Sequence, residues 1–321
     1  MSFIHVVSVS GGKDSAATLL LAIERNGLDN VRAIFCDPGN EHEAVYEYLS
    51  YLEQATGVRI DRLRADFSGE IARKRMFIAR DQRTRRGPDG RKVRWTNKAK
   101  RRALAVLHPT GNPFLDLCMW KGRFPSRKAQ FCTEQLKRNL AVEYQLDLVD
   151  QGHWVWSWQG VRRDESLNRR DAALFEWIGP QLGAFRPLVD KSAEWVFEYC
   201  AAQGIQPNPL YKQGMTRVGC MPCINVNKAE LQQIARRFIE HLGRIFTWES
   251  LVAACSKRGG ATFIPAPTGG KWVTNSVEHA RQNGIWQIVE WSKTSRGGKQ
   301  FSLLTDLDEP TACASAYGLC E

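Results

Sequence analysis

Residues 6–21 read VVSVSGGKDSAATLLL: a β-branched run, a turn of small residues, then an apolar stretch of good helix formers. A buried strand that passes through two glycines straight into a buried helix opens a βαβ unit, and here the pattern repeats. After a first strand from residue 5 come a helix over 16–25, a strand over 31–36, a helix over 41–54 and a strand over 58–63. This alternation predicts right-handed crossovers and an α/β fold, a parallel twisted sheet with helices on both faces. Ligands of such sheets bind beyond the carboxyl ends of the strands, where Ser10-Gly11-Gly12-Lys13-Asp14-Ser15 and Asp37-Pro38-Gly39-Asn40 both fall.

A turn of small residues lets backbone N–H groups approach an anion closely, and the following helix aims its partial positive N-terminus at the same place. Phosphate suits that environment. The P-loop NTPase pattern is excluded, because Asp14 follows the lysine and no glycine stands upstream at the required spacing. A formal net charge of +11 adds a general attraction for polyanions. It concentrates in residues 71–102, which hold 14 Lys or Arg against two Asp. That segment reads either as a solvated helix and turn or as a clamp for a nucleic-acid backbone, with Trp95 and Phe77 placed for stacking.

From residue 153 the alternation HWVWSW predicts a strand with Trp154, Trp156 and Trp158 on one face, in the core. An amphipathic helix is expected over 189–203, and beyond residue 228 a helical pattern gives way to Gly/Pro-rich segments. The expected organisation is a nucleotide-binding domain over 1–228 with a basic insertion at about 71–128, then a mainly helical, irregular C-terminal region over 229–321. No apolar run approaches the roughly 18 residues of a membrane span and no signal-peptide pattern opens the chain, so a cytoplasmic location is expected. In a reducing compartment nine cysteines are metal ligands, reactive thiols or small buried hydrophobes. Cys220-Met221-Pro222-Cys223 is a CxxC without the strand-to-helix setting of a thioredoxin site and without the second pair that zinc normally needs.

The SGGKDS segment resembles the PP-loop of the N-type ATP pyrophosphatase superfamily. Within it the chain is most similar to the phosphoadenosine phosphosulfate reductase family and its relatives in ATP sulfurylase small subunits and DNA phosphorothioation. Phe35-Cys36-Asp37-Pro38-Gly39-Asn40-Glu41 resembles that family's second-strand loop, with Pro38 in place of the usual Thr. Phe131-Cys132-Thr133 with Leu136-Lys137 resembles its cysteine-then-lysine segment, and Gly160-Val161-Arg162-Arg163-Asp164-Glu165-Ser166 with Arg169 or Arg170 its arginine segment. The resemblance implies that Ser10, Gly11, Gly12 and Ser15 hold pyrophosphate, and that Lys13 offsets phosphate charge. It implies that Asp14 organises the loop or a Mg2+ ion, that Asp37 and Gly39 lie near the adenosine, and that Arg162 and Arg163, with Glu165 and Ser166, belong to the nucleotide site.

It also implies a 4Fe–4S cluster on Cys132, Cys220, Cys223 and one further cysteine, with zinc as the lesser metal; the family's adjacent cysteine pair is here Phe131-Cys132, so the fourth ligand is sought in the tail, at Cys320 ahead of Cys313. Two activities follow. One is ATP-dependent adenylation of an acceptor, with nucleic acid as a candidate, preparing it for sulfur from a donor protein. The other is a sulfonucleotide reductase with Cys320 as nucleophile and an electron donor as partner. The complete SGGKDS favours the first. A non-catalytic nucleotide-binding or nucleic-acid-binding module is the third reading.

Overall fold

The computed structural model describes residues 2–86, 90, 92–265, 275–295 and 300–301. Strand β1 (Phe3–Ser8) leads through the glycine turn into α1 (Lys13–Asn26), followed by β2 (Val31–Cys36), α2 (Glu43–Thr56) and β3 (Ile60–Leu63). The expected order holds, with small shifts at the ends. Helix α2 starts at Glu43 because His42 caps it, Nδ1 accepting the Ala44 N–H at 3.0 Å, and it stops at Gly57, whose φ of 73° is left-handed.

The basic segment folds as α3 (Ser68–Arg80), a hairpin of β4 (Thr84–Arg86) and β5 (Lys92–Arg94), and α4 (Asn97–Val106). Trp95 is 7% exposed and belongs to the main core, so it is no stacking platform; a large indole beside the apolar side of α4 gains more from burial than from water. Phe77 is exposed, but Arg83 and Lys74 lie over its ring at 4.7 and 5.6 Å. Next come α5 (Pro113–Lys121), α6 (Phe131–Thr133) and, through a π-helical turn at Glu134–Arg138, α7 (Asn139–Asp150). The elements that follow include β6 (Trp154–Trp158), β7 (Phe175–Gly179), β8 (Leu182–Phe185), α8 (Ala193–Ala202), α9 (Lys228–Arg237), α10 (Ile239–Cys255), α11 (Ser276–Asn283), α12 (Ile285–Ser292) and the short strand pair β9 (Thr294–Ser295) and β10 (Gln300–Phe301).

The sheet runs β3-β2-β1-β6-β8-β7; all neighbours are parallel except the edge pair β7 and β8. Alternation along β1 sends Ile4 and Val6 to one face, where they join Ile34, Val155 and Leu182 under the apolar side of α7. Val7 and Val9 point to the other, into a core that also takes in Leu19, Leu49, Leu52 and Trp158. That same core continues through Leu242, Ile245 and Val252 of α10 and Ile285 and Ile288 of α12. Trp154 and Trp156 are half-buried against Trp177, and Trp158 is buried against Phe185. No described helix is long and apolar enough to cross a membrane. The chain builds β2 and β3 on one side of β1 and β6 on the other, and the crevice at the carboxyl ends of β1 and β6 is the switch point at which such sheets take ligands.

Candidate active site

The turn after β1 is shaped by two close approaches. Gly11 has φ 73°, and a Cβ there would lie 2.9 Å from Val45 Cγ1, so glycine is required on both counts. Gly12 occupies the N-cap position of α1 without any side-chain cap, which leaves the helix N-terminus facing the crevice. Ser15 braces the turn, its Oγ donating to Gly12 O at 2.8 Å and accepting from Ser10 N at 3.1 Å. From the far side of the sequence Tyr211 supplies a hydroxyl that accepts the Lys13 N–H at 3.1 Å.

Lys13 and Arg162 are both buried, and Asp14 joins them: Lys13 Nζ lies 3.0 Å from Asp14 Oδ2 and Arg162 Nε 2.6 Å from Asp14 Oδ1. Arg162 also donates to both oxygens of Asp164, at 2.6 and 2.7 Å. Burial works against its positive charge, but Asp14, with Asp164 and Glu165, outweighs burial and holds its pKa above the ordinary value. Gly160 lets this strand end come close, since a Cβ there would sit 2.9 Å from Asp14 O. Around the turn opens a polar cavity of about 530 Å³ whose cations are Lys13, Lys137, Arg162, Arg169 and Arg217, set against Asp14 and Glu165. An apolar cavity of about 580 Å³ adjoins it, sharing Ser8, Ser10, Lys137 and Arg169 and extending over Ile34, Phe35, Cys36, Val161 and Leu182. A cationic chamber continuous with an apolar one matches a nucleotide, phosphates in the first and base in the second.

Three of the expected cysteines converge beside this site. Cys220 forms an isolated β-bridge with Glu41, its Sγ 3.7 Å from Glu41 Oε1, while Asn225 N approaches Cys223 Sγ at 3.5 Å. Burial and then the Glu41 charge push the Cys220 thiol up, with smaller contributions from Cys223 and Cys132; burial and Cys223 raise Cys132. Lys137 Nζ lies 3.5 Å from Glu41 Oε1. Desolvation opposes its charge, yet Cys220, Glu41 and Cys223 together hold its pKa above the ordinary value. Glu41 itself is buried, its Oε2 has no hydrogen-bond partner, and burial raises its pKa against the opposing pull of Lys137. Among the described residues the only three His, Cys, Asp or Glu donors within 4.8 Å of one another are His42, Glu43 and His241, so the three thiols stand wider than the edge of about 3.8 Å that a zinc tetrahedron with ~2.3 Å bonds requires. Cys313 and Cys320 lie outside the described residues.

The other expected site residues do not line either cavity. Asp37 accepts from Gly39 N and Tyr46 OH, both at 2.8 Å, and Gly39 is locked against Asn112 and Pro113. Arg163 binds Ala172 O and Asp190, and Ser166 precedes the turn Leu167–Arg169, its carbonyl accepting the Arg169 N–H at 2.9 Å. Of the two arginines left open, Arg169 faces the cavity, bound to Glu165, while Arg170 is exposed beside Asp171. Sequence reasoning passed over Tyr211, Arg217 and the direct role of Lys137 and Glu41. The last two stood inside quoted motifs, but nothing local marks Tyr211, which meets Lys13 across 198 positions.

A family model described as phosphoadenosine phosphosulfate reductase domain matches residues 4–226, well over half of the 321-residue chain. The chain belongs to the phosphoadenosine phosphosulfate reductase family. An uncharacterized 37.8 kDa protein of Escherichia phage 186 is 43% identical over 328 residues, spanning 100% of this chain and 97% of its own. Adenosine 5'-phosphosulfate reductase of Salinibacter ruber is 36% identical over 78 residues, 24% of this chain and 29% of that enzyme. The crystal structure of phosphoadenylyl-sulfate reductase from Candida auris, a phosphate complex, aligns with TM-score 0.42 and 12% identity over 70% of this chain and 83% of its own. For this family member the mostly parallel six-stranded sheet, its flanking helices and the helical C-terminal region agree with the fold expected from the sequence.

Proposed function

We propose that the protein binds an adenine nucleotide with its phosphates on the Ser10–Ser15 turn and cleaves ATP between the α- and β-phosphates, adenylating an acceptor oxygen for sulfur transfer. The observation that carries this reading is the complete glycine turn opening onto a cationic cavity that continues into an apolar one. Lys13 and the N-terminus of α1 stabilise charge on the departing pyrophosphate, and Arg162, Arg169 and Arg217 hold phosphate oxygens so that the acceptor attacks phosphorus in line. Both Asp14 oxygens meet cations, so its carboxylate fits the role of loop organiser, and each oxygen keeps a second lone pair that could serve a Mg2+ ion. Cys132, Cys220 and Cys223, with the Lys137 ammonium beside Cys220, fit part of the ligand set of an iron–sulfur cluster, and zinc spacing does not fit. Bound there, such a cluster supplies electrons or holds sulfur.

A sulfonucleotide reductase is the second reading, favoured by family membership and by the partial match to adenosine 5'-phosphosulfate reductases. One experiment separates the two. Anaerobically purified protein is given ATP with candidate acceptors, nucleic acid included, and separately adenylyl sulfate with a dithiol reductant. Pyrophosphate release above background supports adenylation. Sulfite release without pyrophosphate supports the reductase, and neither product, with nucleotide still bound, leaves the non-catalytic module.

A further inference from the structure

Away from the nucleotide cavity, the first turn of α10 meets the start of α2, and two histidines and two carboxylates converge there. His241 is 2% exposed, and neither of its ring nitrogens has a hydrogen-bond partner. Its Nε2 lies 3.4 Å from Glu43 Oε2 and 3.7 Å from Glu240 Oε1. His42 stacks on it with ring centroids 5.0 Å apart, and His42 Nδ1 lies 3.9 Å from the same Glu43 oxygen. One donor atom of each of His42, Glu43 and His241 thus falls within 4.8 Å of the other two, with no cysteine among them.

A buried imidazole with both nitrogens unsatisfied is costly, and a cation bound at Nε2 removes that cost at one of them where an apolar core contact would not. Phe238 sits edge-on to both rings and contributes no polar atom to them. The charged groups facing the pair are Glu43, Glu240 and Glu47 on the acidic side and Arg244 on the basic side, so the surroundings favour a cation. Arg244 Nη2 donates to Asn40 Oδ1 and Met221 O at 3.0 Å each, while its buried Nε has no partner. Burial lowers the pKa of both histidines, which keeps their lone pairs available at neutral pH.

We propose that His42, Glu43 and His241 bind a divalent transition-metal ion, with Zn2+ as the best fit and Glu240 or water as the fourth donor. Two imidazoles and a carboxylate form a donor set that zinc accepts in a tetrahedron with one further ligand. Glu43, whose side chain is 70% exposed, provides the entry from solvent. His42 Nδ1 gives up the Ala44 amide on binding, exchanging a helix cap for a coordinate bond. The ion would fasten α10 to the start of α2, two residues beyond Glu41 and its bridge to Cys220.

The test uses chelator-stripped full-length protein titrated with Zn2+ against a chromophoric competitor, and with Co2+ for its spectrum. The variants are Glu43→Gln, His241→Gln and Cys220→Ser with Cys223→Ser. Wild type should take up one ion that the cysteine variant retains and that shows four-coordinate Co2+ bands without thiolate charge transfer. Glu43→Gln should weaken that ion by at least about tenfold, since changes even outside the ligand shell cost this much. Glu43 is exposed, so it decides the matter even if His241→Gln fails to fold. Equal binding by wild type and Glu43→Gln, or cobalt bound only with thiolate charge transfer and lost in the cysteine variant, would overturn the proposal. Neither outcome depends on whether ATP is cleaved.

Discussion

Replacing Asp14 with Asn separates two roles that a loop carboxylate can play. In the structure Asp14 neutralises Lys13 and Arg162 at 3.0 and 2.6 Å. Asparagine keeps an acceptor for Arg162 Nε but drops the charge, and Arg162 retains both Asp164 oxygens, so the stability loss should be modest, about 1–2 kcal/mol. The cavity meanwhile becomes more positive by one charge. At ~5 Å from a phosphate and an effective dielectric constant of ~60, that change is worth about 1 kcal/mol, or roughly fivefold in affinity for free pyrophosphate without Mg2+. Turnover of ATP should nonetheless fall by about 100-fold or more, because an unclamped Lys13 no longer meets the charge developing on the leaving group. Calorimetric titration with pyrophosphate, urea unfolding and a pyrophosphate-release assay measure the three effects. If metal-free pyrophosphate binds more weakly in the variant while stability is unchanged, the charge-clamp account of Asp14 is wrong.

Tyr211→Phe removes the hydroxyl that accepts the Lys13 amide, and should cost about 1–2 kcal/mol of stability and raise KM for the nucleotide more than it lowers kcat. Glu249 is fully buried and accepts from Phe263 N and Ile285 N at 2.8 Å each, with burial raising its pKa to about 7 against those two bonds. A carboxyl with a raised folded-state pKa contributes stability that is complete below its unfolded value of 4.5 and is lost as pH rises through about 7. Urea unfolding should show a decline on the order of 3 kcal/mol between pH 4.5 and 8 that Glu249→Gln flattens, and parallel profiles for the two proteins would refute the assignment. The arginines of β4 and the one just before it supply the last test. Changing Arg83, Arg85 and Arg86 together to Ala should weaken duplex DNA binding evenly across sequences and reduce the slope of log K against log salt by up to ~2.7, the value for three phosphate contacts. An unchanged slope removes the basic hairpin as a nucleic-acid contact.

The amino-acid sequence alone determined the order of strands and helices from β1 to β3, because each of those elements carries its own period and is punctuated by its own turn residues. It also determined the glycine turn, since the left-handed φ at Gly11 is a local demand. Tertiary structure alone decided what that turn faces. Arg162 reaches Asp14 across 148 positions, Tyr211 reaches Lys13 across 198, and Glu41 meets Cys220 across 179, pairings that only strand order and crossover geometry bring about. Arg163 shows the same limit from the other side: it adjoins Arg162 in sequence, but the turn there sends its guanidinium to Ala172 and Asp190, away from the cavity. Trp95 and Phe77 share one basic segment, yet only the packing of α4 against the core decides which ring is covered. Local chemistry is written residue by residue, whereas the partners of a buried charge depend on how distant segments fill the same space.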